Sequence, residues 1–313
     1  MIQTSPSAKQ SISRLLYVSG CPRSGTTVVG NLIGSASGVE YAYEPALLHT
    51  LLPLLDPMTR AGQSEAWKLL FETYCYEELL LGLLAGRSFN LNRNDDSYAG
   101  NYYTDEEIES RRSRGFRKHE LDEIALGRRL AIKTPGVLPD LVRVAALYPT
   151  MQLVVVVRRP NDVLGSLLTR RWFDISPEAR GIYLWPYREH RSVRIPHCIS
   201  EDLHDWWVSP STADVERAAT YLLVQWKACR DARRVCYVDY DDLVSDPDTE
   251  VARLFGRLGI GAGKKTSAIA SRLRPRSSPY PNFLAELPPQ LGSELVETAE
   301  TMRREAGNRK QET

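Results

Sequence analysis

Residues 20–27 of this 313-residue chain read Gly-Cys-Pro-Arg-Ser-Gly-Thr-Thr, directly after an apolar run and before a helix-like stretch. In that context the segment is a phosphate cradle, because loop amides and a helix N-terminus converge on one anion. The hydroxyls of Ser24, Thr26 and Thr27 add donors. In the nucleotide-hydrolase pattern GxxxxGK[ST], a lysine stands where this chain has Thr26, and here Arg23 supplies the positive charge from inside the loop. A second group, Arg158-Arg159-Pro160-Asn161-Asp162-Val163 with Ser166 beyond it, follows another apolar run. With Asn161 as the expected N-cap, Arg158 and Ser166 grip one anion from two sides. A magnesium-dependent phosphotransferase needs an acid at such a strand end; a pair of cations suits another phosphate instead. Together the two loops predict a ligand with two separated phosphate groups.

The elements that must hold these loops repeat a pattern. Leu15–Val18, Val39–Tyr43, Leu130–Ile132, Leu153–Val157 and Val235–Val238 read as short strands, alternating with helical stretches at Thr27–Ser35, Leu138–Tyr148 and Tyr221–Asp231. Continuous apolar runs between amphipathic helices predict an α/β fold with a parallel β-sheet covered by helices on both faces. Leu153–Val157, five apolar residues in a row, has the signature of a central strand. One domain over 1–313 is expected, with insertions at about 60–120 and 172–212 and a flexible tail from about 300. Such insertions after strand ends form lids or binding surfaces. The aromatic one, with Trp185, Trp206 and Trp207, is a candidate acceptor lid or a satellite core.

Composition narrows the class. With 40 Lys+Arg against 39 Asp+Glu the chain is nearly neutral, unlike a general nucleic-acid binder. Of the basic residues only eight are Lys; the arginine excess suits bidentate anion recognition, and codon bias would give the same count. Five cysteines with no CxxC pair predict neither a disulfide framework nor a zinc site. No stretch is apolar enough for a signal peptide or a membrane span, and a cytoplasmic location is the default expectation.

These motifs resemble those of the PAPS-dependent sulfotransferases, PAPS being 3′-phosphoadenosine-5′-phosphosulfate. Pro22-Arg23-Ser24-Gly25-Thr26-Thr27 is similar to the family's 5′-phosphosulfate loop, and Arg158 with Ser166 to its 3′-phosphate loop. Lys133-Thr134-Pro135 and the segment Tyr240–Pro247 extend the resemblance in family order from about residue 15 to 260. Arg23 in place of the lysine of many cytosolic members brings the chain closer to the bacterial and carbohydrate-type branches. No match appears to the Gly-rich C-terminal 3′-phosphate segment of the steroid and phenol enzymes. The resemblance implies a P-loop-like fold, PAPS as sulfuryl donor without a metal, and a small-molecule, glycan or lipid acceptor, with a homodimer as one possible assembly.

It further implies roles. Pro22 to Thr27, Arg158, Ser166 and Tyr240 bind the donor, with Tyr240 near the adenine or else a plain core tyrosine. Arg23 stabilises the departing phosphate. Glu44, in Tyr41-Ala42-Tyr43-Glu44-Pro45, is the expected base, its pKa pushed up by burial beside Tyr43 and opposed by Arg23; His49 is its rival, and an ion pair with an arginine is the plain alternative. Lys133 contacts the sulfonate or the acceptor, or is a structural ion pair. His119, His190, His197 and His204 are expected to be exposed and inert. A P-loop kinase-like phosphotransferase and a non-catalytic nucleotide-binding homologue are the competing readings.

Overall fold

A computed structural model describes residues 3–176, 178–179, 186–230, 232 and 234–308. Among the described residues there are seven strands: β1 Leu16–Gly20, β2 Val39–Tyr43, β3 Arg129–Lys133, β4 Gln152–Val157, β5 Tyr187–His190, β6 Val193–Pro196 and β7 Val235–Asp239. The main sheet is five-stranded and parallel throughout, in the order β2-β3-β1-β4-β7; β5 and β6 form a separate antiparallel hairpin.

Each main strand is short and apolar because it is buried on both faces. Along β4, Leu153, Val155 and Val157 point into one core, while Val154 and Val156 point into the other, the period-2 alternation of a pleated strand. The first core is closed by helices Leu138–Leu147, Pro160–Thr169, Asp214–Arg230 and Pro289–Asn308. The second is closed by helices Thr26–Gly34 and Pro247–Leu258. The α/β fold of helices flanking a parallel sheet is the one expected.

Residues 64–84 are one helical stretch with a π segment, Tyr74–Leu80, in its middle. Trp67, Phe71, Cys75 and Tyr76 are buried along it, so it builds the first core rather than a lid. Two local expectations need correction, and one open alternative is decided. The helix after β4 starts at Pro160, with Arg159 as N-cap. Proline suits N1, where its missing N–H is no loss, so Asn161 falls inside the first turn instead of capping it. The tail does not become free at residue 300: the last helix runs to Asn308 and buries Met302 and Ala306. Trp207 is fully buried, edge-on to Phe173, so it is core rather than lid. Trp185 and Asp231 lie outside the described residues.

Candidate active site

β1 runs towards β2 on one side and β4 towards β7 on the other. The carboxyl ends of these adjacent strands therefore form the topological switch point where open α/β sheets bind ligands. Both arginine loops emerge there.

The first loop is shaped by backbone conformation. Arg23 (φ 74°) and Gly25 (φ 98°) are both left-handed, and the Ser24 amide donates to the Cys21 carbonyl at 3.1 Å. Helix Thr26–Gly34 follows with Gly25 as N-cap and no side-chain cap, leaving its first amides to an outside acceptor. The Ser24 hydroxyl is buried and has no hydrogen-bond partner among the described residues. At Gly25 a Cβ would come within 2.2 Å of the Tyr240 ring. Glycine is thus required twice, for its φ and for the tyrosine lying against the loop.

The second loop meets the first. Arg23 Nε donates to Ser166 Oγ at 2.9 Å, and Arg158 Nη1 donates to the Arg23 carbonyl at 3.4 Å. The Arg158 guanidinium stands 5.1 Å from the Tyr240 ring centroid, and its buried Nε has no partner among the described residues. Beyond Arg158 opens a cavity of about 360 Å³ that Arg159, Tyr240, Arg274, Arg276 and Ser277 also line. Sequence reasoning missed Arg274 and Arg276. Their segment is held over the second loop by Tyr280, which packs so closely on Gly165 that a Cβ there would lie 2.2 Å from its ring. Asn161 Nδ2 also donates to the Pro281 carbonyl at 2.9 Å. The only signal was the run Arg-Pro-Arg-Ser-Ser-Pro-Tyr-Pro itself.

On the other side of Arg23 lies a cavity of about 380 Å³ lined by Thr27, Tyr43, Glu44, His49, Lys133 and His197, among others. Tyr43 pairs with Lys133 in the β2–β3 register, which brings Glu44, one residue on, over the end of β3. The Glu44 amide donates to the Lys133 carbonyl at 2.8 Å, and the residue is held at φ 42°. Lys133 is 1% exposed. Its ammonium pairs with Glu44 Oε1, donates to Thr27 Oγ1 at 3.1 Å and lies 3.8 Å from the Tyr43 ring centroid. Burial pulls the Lys133 pKa down and the Glu44 charge opposes it; burial pushes the Tyr43 hydroxyl up to about 12. The cation paired with Glu44 is Lys133, not an arginine.

Among the histidines, His119 is exposed, His190 pairs with Asp205 and His204 meets the Ile199 carbonyl. His197 departs from expectation. It lines the cavity, with Nε2 2.5 Å from a buried Asp140.

The sequence model of the sulfotransferase family matches residues 16–262. That span contains every strand of the sheet and both arginine loops. The chain belongs to the sulfotransferase family. Among solved structures, this sulfotransferase is 16% identical to the sulfotransferase domain of the Synechococcus PCC 7002 olefin synthase, with 92% of this chain and 94% of that one covered at a TM-score of 0.45. The sulfotransferase domain from the curacin biosynthetic pathway gives 16% identity, 92% and 96% coverage, and a TM-score of 0.45. STF1 from Mycobacterium tuberculosis H37Rv gives 16% identity, 93% and 78% coverage, and a TM-score of 0.39. No curated protein matches the sulfotransferase at a significant level. Among the described residues, no helix is long and apolar enough to cross a membrane.

Proposed function

We propose that this sulfotransferase uses PAPS as its donor and sulfates a hydroxyl or amine of a small-molecule, glycan or lipid acceptor. The observation that carries the reading is the joining of the two loops, in which Arg23 reaches Ser166 and Arg158 reaches Arg23 under the Tyr240 ring. The residues fit such a donor: the buried Ser24 hydroxyl and Arg158 Nε both lack partners among the described residues, and buried polar atoms are normally satisfied. When bound, PAPS supplies the activated sulfuryl group.

The chain's own groups divide the work. The loop amides, Ser24, Thr26 and Thr27 hold the 5′ end, with Pro22 and Gly25 shaping the turn, and Arg23 neutralises the charge that builds on the departing phosphate. Donors fixed before reaction need not reorganise during it. Arg158, Ser166, Arg274 and Arg276 hold the 3′-phosphate, and Tyr240 flanks the adenine. Lys133 faces the transferring sulfonate, and Glu44 takes the acceptor's proton. Its pairing with Lys133 orients the carboxylate before an acceptor arrives.

Thermal unfolding tests this directly. Saturating 3′,5′-adenosine bisphosphate raises the melting temperature through binding to the folded state alone, and ATP with Mg²⁺ does not. The opposite ranking would return the protein to the phosphotransferase reading.

A further inference from the structure

The cavity at Glu44 continues into a second, larger one of about 770 Å³. His49, Pro186 and His197 line both, so the two chambers meet at a neck built from these residues. The His197 amide donates to the Pro186 carbonyl at 3.0 Å, which ties two sides of the neck together.

The neck is chemically unfinished on both sides. Asp140, 2% exposed, accepts from Arg143 through Oδ1 and faces His197 Nε2 through Oδ2. A carboxylate only accepts, so in the neutral imidazole Nε2 carries the hydrogen and Nδ1 keeps a lone pair. Nδ1 has no partner among the described residues. Opposite, His49 Nδ1 is buried and also lacks a partner among the described residues. Burial holds the His49 ring towards its neutral form, with Glu44 opposing and Lys133 and His197 adding to the effect. A buried polar atom such as His49 Nδ1 is costly to leave without a hydrogen bond, and His49 and His197 both line the two chambers.

We propose that this neck binds a second hydroxyl of the acceptor, making the substrate a polyol that extends from the inner chamber into the outer one. The inference rests on the sulfotransferase reading and names the acceptor class for that same site. A hydroxyl suits the neck because it donates to His197 Nδ1 while keeping lone pairs for a second contact at His49. A lone alcohol fills the inner chamber and leaves both nitrogens unpaired. His197 touches the acceptor without taking part in the transfer, and Asp140 positions it by fixing the tautomer.

Two probes of equal length, octane-1,3-diol and octan-1-ol, separate these cases. In ¹⁵N-histidine-labelled protein the His197 nitrogens should report hydrogen on Nε2. The diol should shift the nitrogens of His197 and His49, and octan-1-ol should leave them in place. With ³⁵S-labelled PAPS, the diol should be preferred in kcat/KM by about tenfold, the worth of one hydrogen bond. His197→Gln should erase that preference through KM with kcat little changed. Hydrogen on His197 Nδ1, or equal nitrogen shifts with both alcohols, would overturn the proposal. The shifts are read with and without 3′,5′-adenosine bisphosphate, so a protein that fails to bind the nucleotide would sink the sulfotransferase reading while the neck is still measured.

Discussion

Arg158 joins the two loops: one nitrogen reaches the Arg23 carbonyl, the guanidinium lies by Tyr240, and Nε waits without a partner among the described residues. Arg158→Ala should therefore weaken 3′,5′-adenosine bisphosphate binding by about 1.5–3 kcal/mol, the scale of a charge-assisted hydrogen bond. Calorimetric titration checks it, and an unaltered dissociation constant would remove the residue from the 3′-phosphate site. Glu44 behaves differently because its partner is the buried Lys133 rather than the nucleotide loop. Glu44→Gln keeps the shape and removes the base. Turnover should fall about 10²–10⁴-fold, the worth of a positioned proton acceptor, with nucleotide affinity retained. A loss of binding in place of turnover would mark the residue as a strut.

At the scale of elements, the 90–113 insertion is pinned to the sheet by charge. Glu40 on β2 is fully buried and pairs with Arg111, whose Nη2 approaches Oε1 at 3.1 Å, and with the Tyr103 hydroxyl at 2.8 Å. Arg111 also lies 4.6 Å from the Tyr103 ring centroid. Removing one partner of a buried pair strands the other, typically for about 3–5 kcal/mol. Arg128, 3.8 Å from Glu40 and more exposed, compensates in part. Arg111→Ala should thus cost about 3 kcal/mol in urea unfolding, and a change below about 0.5 kcal/mol, the size of an exposed pair, would show that the clamp does not bear on stability.

At the scale of the whole molecule, burial makes one histidine a source of acid sensitivity. His49 titrates below its ordinary 6.5 because burial disfavours the charged ring, so the unfolded chain binds its proton first. Its contribution to stability is complete above about pH 6.5 and is lost as acidification continues towards the lowered folded value. His49→Gln should flatten the fall in melting temperature over that window, and an unchanged slope would place the sensitivity elsewhere. The sheet and both arginine loops were legible because they depend on local pattern, as in the run Leu153–Val157 between its amphipathic neighbours. What escaped depends on distant pairs. Asn161 and Pro281 are 120 residues apart and bring Arg274 and Arg276 over the cleft; Asp140 and His197 are 57 apart, and nothing near His197 signals its partner.

The Tyr103 hydroxyl that anchors the insertion also accepts the outward amide of Tyr41 at 3.2 Å. β2 is a border strand of the sheet, and a bare border invites pairing with another chain. With that amide engaged and Glu40 locked beneath it, two copies of this protein cannot zip together through β2 without first evicting their own insertion. Any self-association that preserves the native insertion must therefore use a surface other than the β2 edge.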